Sequence, residues 1–187
     1  MNRRPPCSAH LLVLLPLALL LSACAADPAL QDPNPDSRFE ERIQVQEKDD
    51  IRVSAAVPDA KETEKLFGKN LYKRRIQPVW LRIENRKEFP VTFMPVGLDP
   101  IYYSPLEAAN IDLRSDREID SRSLVNQFFL DQGMDMIIMP GEQLSGFIFT
   151  RLDEGTKSFN VDVAFKGGFS TFPFFIPVPG LKVDHYQ

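Results

Sequence analysis

Asp112, Asp116 and Asp120 recur at four-residue intervals, with Glu118 between the last two. On a helix that spacing puts carboxylates on one face, where their oxygens would suit Ca²⁺. Calcium loops instead set ligands at alternating positions around a turn glycine, which this stretch lacks. Arg114, Arg117 and Arg122 interleave the acids, so a charge-neutralised surface is expected and no metal. The segment Leu98–Ser104 (LDPIYYS) sets Asp99 close to Tyr102 and Tyr103. Tyrosine offers a large rigid contact area with one hydroxyl, which makes these three a candidate partner surface. The competing expectation is an Asp-Pro turn whose tyrosines plug one end of the domain beneath a following helix. Phe169–Pro179 (FSTFPFFIPVP) is aromatic and interrupted by proline, which excludes it from a central strand. Phe172, Phe174 and Phe175 there are a second candidate surface, unless they close the core. Acids are numerous enough for glycosidase chemistry, but no spacing singles out a pair. There is no GxGxxG and no P-loop, so neither cofactor nor nucleotide is expected. Gly167-Gly168 reads as a turn.

The elements that position these residues begin after a distinctive leader. Asn2-Arg3-Arg4 precedes an apolar run, Leu11 to Leu20, that ends in Leu21-Ser22-Ala23-Cys24. The run is broken by Pro16 and is too short for a bilayer core, which takes about 20 apolar residues. The basic start, short apolar core and small-residue site before cysteine resemble the lipobox of a bacterial lipoprotein precursor. That resemblance implies cleavage between Ala23 and Cys24, with acyl chains on the Cys24 sulfur and on its freed amine. Two or more chains anchor a protein stably where one does so only marginally. Ala25 stands where an aspartate would resemble an inner-membrane retention signal, so the resemblance implies the outer membrane, with the domain facing the periplasm.

If the leader is lost, so are Cys7 and His10, while Cys24 is consumed by lipid. No disulfide is then expected, although the compartment permits one. His185, close to the C-terminus, remains as the one histidine. A His/Cys zinc site, a Cys-His dyad and a well-placed Ser-His-Asp triad are all disfavoured, and the protein is not expected to be an enzyme. The formal net charge is −4, and loss of Arg3 and Arg4 takes it to −6. An acidic domain lacks the electrostatic footprint of a nucleic-acid binder. Lys69 to Arg75, with Lys73-Arg74-Arg75, is the basic exception. It reads as a solvated connection before a strand, or as a contact for lipid phosphates or an acidic partner.

Residues 24–38 contain Asp27-Pro28, Asp32-Pro33 and Asn34-Pro35, a composition that predicts a flexible lipidated tether. Residues 39–187 then form a single domain. Ile51, Val53, Ala55 and Val57 alternate with Arg52, Ser54 and Ala56, and Val79, Leu81 and Ile83 alternate with Trp80, Arg82 and Glu84. Both patterns predict half-buried strands. Ile43 and Val45 are expected to pair with the first, and Asn85–Glu88 to turn the second into Phe89, Val91 and Phe93. Phe159, Val161, Val163 and Phe165 predict another strand. It is joined through Asp153–Thr156 to Gln143–Thr150 in an expected antiparallel hairpin. Asp59 with Glu62, and Ser104-Pro105 with Glu107, predict capped helix starts. A third helix is predicted over Ser121–Gln132, with Leu124/Phe128 and Val125/Phe129 at four-residue spacing, all expected in the core.

This pattern predicts a mainly β antiparallel sandwich with two or three short inserted helices. Trp80-Leu81-Arg82-Ile83-Glu84-Asn85, followed by Pro140-Gly141-Glu142 and Gly146-Phe147-Ile148-Phe149, resembles the immunoglobulin-like domains of bacterial surface lipoproteins. The longer Ile76–Asn85 block is similar to a family of uncharacterised proteobacterial envelope proteins. The resemblance implies a strand ending in "IEN" before a hairpin, and no known activity. The expected role is a non-catalytic binding or assembly module, attached to the membrane through lipidated Cys24 and engaging an envelope protein. The alternatives are a carrier or sensor of an apolar envelope molecule, or a carboxylate-dependent cell-wall hydrolase.

Overall fold

The computed structural model describes residues 38–111 and 119–178. The expected leader, the expected tether up to residue 37 and the terminal His185 lie outside them, as do Asp112, Asp116 and Glu118 and the side chain of Asp120. Among the described residues, nine strands form two antiparallel sheets. The first carries β1 (Gln44–Lys48), β2 (Ile51–Ala56), β3 (Ile76–Asn85), β7 (Gln143–Arg151) and β5 (Tyr102–Tyr103), in that order across the sheet. The second carries β6 (Ile137–Ile138), β4 (Val91–Met94), β8 (Thr156–Phe165) and β9 (Gly168–Pro177). The protein is mainly β, as expected.

The alternating residues explain why the sheets stack. Ile51, Val53 and Ala55 of β2, Val79, Leu81 and Ile83 of β3, and Val161 and Val163 of β8 all lie in one cluster between the sheets. The opposite face of the first sheet, expected to meet solvent, is instead half covered. Ala56, Trp80, Phe147 and Phe149 join Phe67, Leu71, Ala108, Ala109 and Phe129 in a second cluster. Helices α1 (Ala60–Phe67), α2 (Pro105–Asn110) and α3 (Ile119–Asp131) supply much of that cluster and form a third layer. A strand buried on both faces loses clean alternation, which is why Trp80 is 2% exposed.

Two expected hairpins are corrected. β7 does not pair with β8: it runs antiparallel to β3 over nine register pairs, from Ile76↔Arg151 to Glu84↔Gln143. The chain then crosses to the other sheet, where β8 pairs with β4 and β9. β3 and β4 likewise belong to different sheets, so the "IEN" end leads to a crossing and not a hairpin. The physical reason lies at the buried turns. Asn85, fully buried, donates from Nδ2 to the carbonyls of Phe89 and Ile138 at 2.9 and 3.0 Å. Gln77, equally buried, accepts the Asp153 N–H at 3.1 Å and donates to the Tyr72 hydroxyl at 3.2 Å. Each amide satisfies the backbone groups freed where the chain leaves one sheet for the other.

Both expected capping boxes form. Asp59 accepts Glu62 N–H at 2.9 Å while Glu62 accepts Asp59 N–H at 2.7 Å, and Gly68 ends α1 in the left-handed region. Ser104 and Glu107 repeat the arrangement at α2. α3 corrects the sequence reading on one stripe: Phe129 is buried, but Leu124 is 74% exposed and Phe128 lies partly in the open.

The outer edge of β7, paired with β5 at Phe149 and Thr150, is met at Phe147 by the chain leaving α3. Met134 N–H donates to Phe147 O and Phe147 N–H to Gln132 O, making a parallel bridge at Gly133. The approach needs a glycine opposite. A Cβ on Gly146 would stand 2.6 Å from Gly133 O and 2.7 Å from Met134 Cα, both backbone atoms. Gly146→Ala is therefore expected to cost about 2 kcal/mol and to expose the β7 edge. Urea denaturation with hydrogen exchange at Phe147 checks this; unchanged protection there would refute it.

Candidate functional site

Asp99, singled out from the sequence, is a buried anchor. Its Oδ1 accepts Ile101 N–H at 2.8 Å and its Oδ2 accepts Arg151 N–H at 3.1 Å. Lys157 Nζ stands 3.5 Å from the same Oδ2. Lys157 is 1% exposed, and its ammonium also reaches Asp153 Oδ2 and Arg151 O, each at 2.8 Å. Three oxygens thus surround the buried Lys157 Nζ, two at 2.8 Å and one at 3.5 Å. The cluster is a clasp that fixes the Asp99 turn against the end of β7.

The clasp places the tyrosines. Tyr102 and Tyr103 pair with Thr150 and Phe149 on the outer edge of β7. Tyr103 packs against the helix-side cluster, whereas Tyr102 is 41% exposed. One tyrosine therefore plugs the end of the domain and the other stands open. Immediately after them, the Ser104 backbone N–H holds the Glu107 carboxyl below the usual carboxylate range, with help from the Ser104 hydroxyl.

β9 is an edge strand, as its prolines require. Phe172 and Phe174 point inward and are buried, so they do not belong to a partner surface. Phe169 and Phe175 point outward and are exposed, on the face of the second sheet away from the core between the sheets. The strand's outer rim is blunted. Pro173 and Pro177 bring no N–H there, and the Gln44 side chain donates to Phe175 O at 2.8 Å. Gln46 does the same to Pro173 O. Addition of a partner strand to β9 is accordingly disfavoured, and any contact there must use side chains.

Two further surfaces were not foreseen. On the outer face of the first sheet, beyond the helices, Arg52, Ser54, Arg82, Glu84 and Gln143 line a polar cleft of about 170 Å³. Register brings them together: Arg52 opposes Glu84, Ser54 opposes Arg82, and Glu84 opposes Gln143. Glu84 is gripped by Arg86 at 2.8 and 3.1 Å, which holds its carboxyl below the ordinary range, with Arg52 adding a smaller effect through space. The solvent-side positions of both strands were legible, but not which strand would lie beside which. A second, apolar hollow of about 330 Å³ lies between Gly68 at the end of α1 and Leu124 and Phe128 of α3. Lys69, from the basic stretch, borders it and donates to Ala109 O; Lys73, Arg74 and Arg75 are solvent-exposed. Among the described residues no cluster of His, Cys, Asp or Glu is arranged to hold a metal ion, and no helix is long and apolar enough to cross a membrane.

Family models, characterised proteins and solved structures offer no match to this chain.

Proposed function

We propose that the protein is a lipid-anchored envelope module that binds another envelope protein without catalysis. The anchor would be Cys24, with the domain facing the periplasm from the outer membrane. The observation that carries the binding role is the face of the second sheet that no other described residues cover. Ile137, Thr92, Ala164 and Phe169 lie in register across its four strands, and Ile137 and Phe169 are 60% and 66% exposed. This row has an exposed apolar side chain at each end, and Phe175, 63% exposed, stands six residues farther along β9 on the same face; exposed apolar side chains grouped on one face mark interaction sites. The immunoglobulin-like description is the finer reading of the fold. Its support is the order β2-β3-β7 in one sheet and β4-β8-β9 in the other, which parallels A-B-E and C-F-G in that class.

Two experiments separate anchor from contact. Labelled palmitate should enter the wild-type protein and not Cys24→Ala, which should also leave the membrane fraction; equal labelling of both removes the lipid anchor. Site-specific cross-linking from position 169 or 175 in cells should capture one discrete partner, and the capture should disappear in Ile137→Ser/Phe169→Ser. A cross-link pattern indifferent to that double change would end the contact reading while leaving the anchor untouched.

A further inference from the structure

We propose that the cleft between Arg52 and Arg82 is a binding site for an oxyanion, the phosphate or carboxylate group of a small ligand. The inference is independent of the lipid anchor and of the partner face, because it concerns the outer side of the other sheet. Arg52 is exposed, and its five N–H donors find no hydrogen bond or ion pair among the described residues. Arg82 is the diagonal neighbour of Arg52 across the β2–β3 ladder, at about 7 Å. Its guanidinium lies over the Trp80 ring at 4.9 Å, which fixes its plane. Between them Ser54 is 8% exposed, and its hydroxyl makes no hydrogen bond among the described residues. Gln143 closes the far side with an amide. Glu84 would repel an anion were it not already engaged by Arg86 through both carboxylate oxygens. Arg52, Arg82, Ser54 and Gln143 line one hollow, which makes it donor-rich within a protein of negative net charge. The volume decides how much of a ligand enters. About 170 Å³ falls short of the 300–1,000 Å³ of whole-molecule sites, so the cleft grips one charged group and leaves the remainder in solvent.

Calorimetric titration of the purified full chain with inorganic phosphate and, separately, acetate tests the proposal. Saturable binding of at least one is expected. Arg52→Ala should weaken it tenfold or more and Ser54→Ala severalfold, with unchanged melting temperature. Arg52→Lys should retain part of the affinity, since it keeps the charge and loses the fork. Glucose 6-phosphate and vesicles containing phosphatidic acid separate the sources: preference for the first assigns a soluble monoester, preference for the second a lipid headgroup, and either supports the site. Absence of saturation with every probe, or an affinity indifferent to Arg52→Ala, overturns it.

Discussion

Replacing Lys157 by methionine is expected to destabilise the domain by about 3–5 kcal/mol, a large part of the 5–15 kcal/mol that holds a typical fold. Methionine conserves most of the volume, so the loss is electrostatic. Asp99 would remain a buried carboxylate with its ammonium partner gone, still fixed by the N–H groups of Ile101 and Arg151. Arg151 O would lose its donor as well. The argument concerns breaking the cluster, not its net worth against an apolar substitute, and the two differ by several kcal/mol. Asp99→Asn in the Lys157→Met background removes the stranded charge while keeping a carbonyl acceptor. The double variant should therefore recover part of the loss. Asp153→Ala should cost about 1 kcal/mol, because that carboxylate is 37% exposed and water replaces it. Urea denaturation of the four proteins checks the pattern. A Lys157→Met loss below about 1 kcal/mol would show Asp99 to be solvated, contrary to its burial.

That clasp shows where sequence reading reached its limit. Lys157 stands in an alternating strand at a core-facing position, since Phe159, Val161 and Val163 follow at period two. Its periodicity was visible, but the partner, 58 positions earlier in a turn, was not. Local features were legible because their causes are local: Asp59 and Glu62, and Ser104 and Glu107, lie within one helical turn of the groups they satisfy. Prolines at the outward rim of β9 made its edge position legible too. Sheet membership was not, because a short turn such as Asp153–Thr156 serves a hairpin and a sheet crossing equally well. The choice depends on Gln77 and Asn85, buried amides that sit in long strands and resemble solvent-side polar residues in sequence. The oxyanion cleft was hidden for the same reason. Arg52 and Ser54, and Arg82 and Glu84, belong to two outward stripes that become one surface only when β2 and β3 pair.

Phe129→Ala is expected to cost about 3–5 kcal/mol, while Leu124→Ala, five residues earlier on the same helix, should stay within about 0.5 kcal/mol. Spacing alone treats the two alike, since both belong to four-residue apolar pairs. The structure separates them by which stripe of α3 meets the sheet. The Phe129 ring lies 5.2 Å from Phe67 and 5.5 Å from Phe149, with Lys69 Nζ 5.6 Å from its centroid. Its removal opens a cavity at the junction of α1, α3 and β7 that the sheet is too stiff to refill. Phe67, which also meets Phe147 and Phe149 at 5.1 and 5.4 Å, would lose one wall. Leu124 touches only the rim of the apolar hollow, so truncating it removes little buried area. Thermal melts of the two variants decide between these readings. A comparable loss in both would make Leu124 part of the core, and the hollow beside α1 with it. A loss confined to Phe129 leaves that hollow open to solvent, with α3 held by one stripe alone.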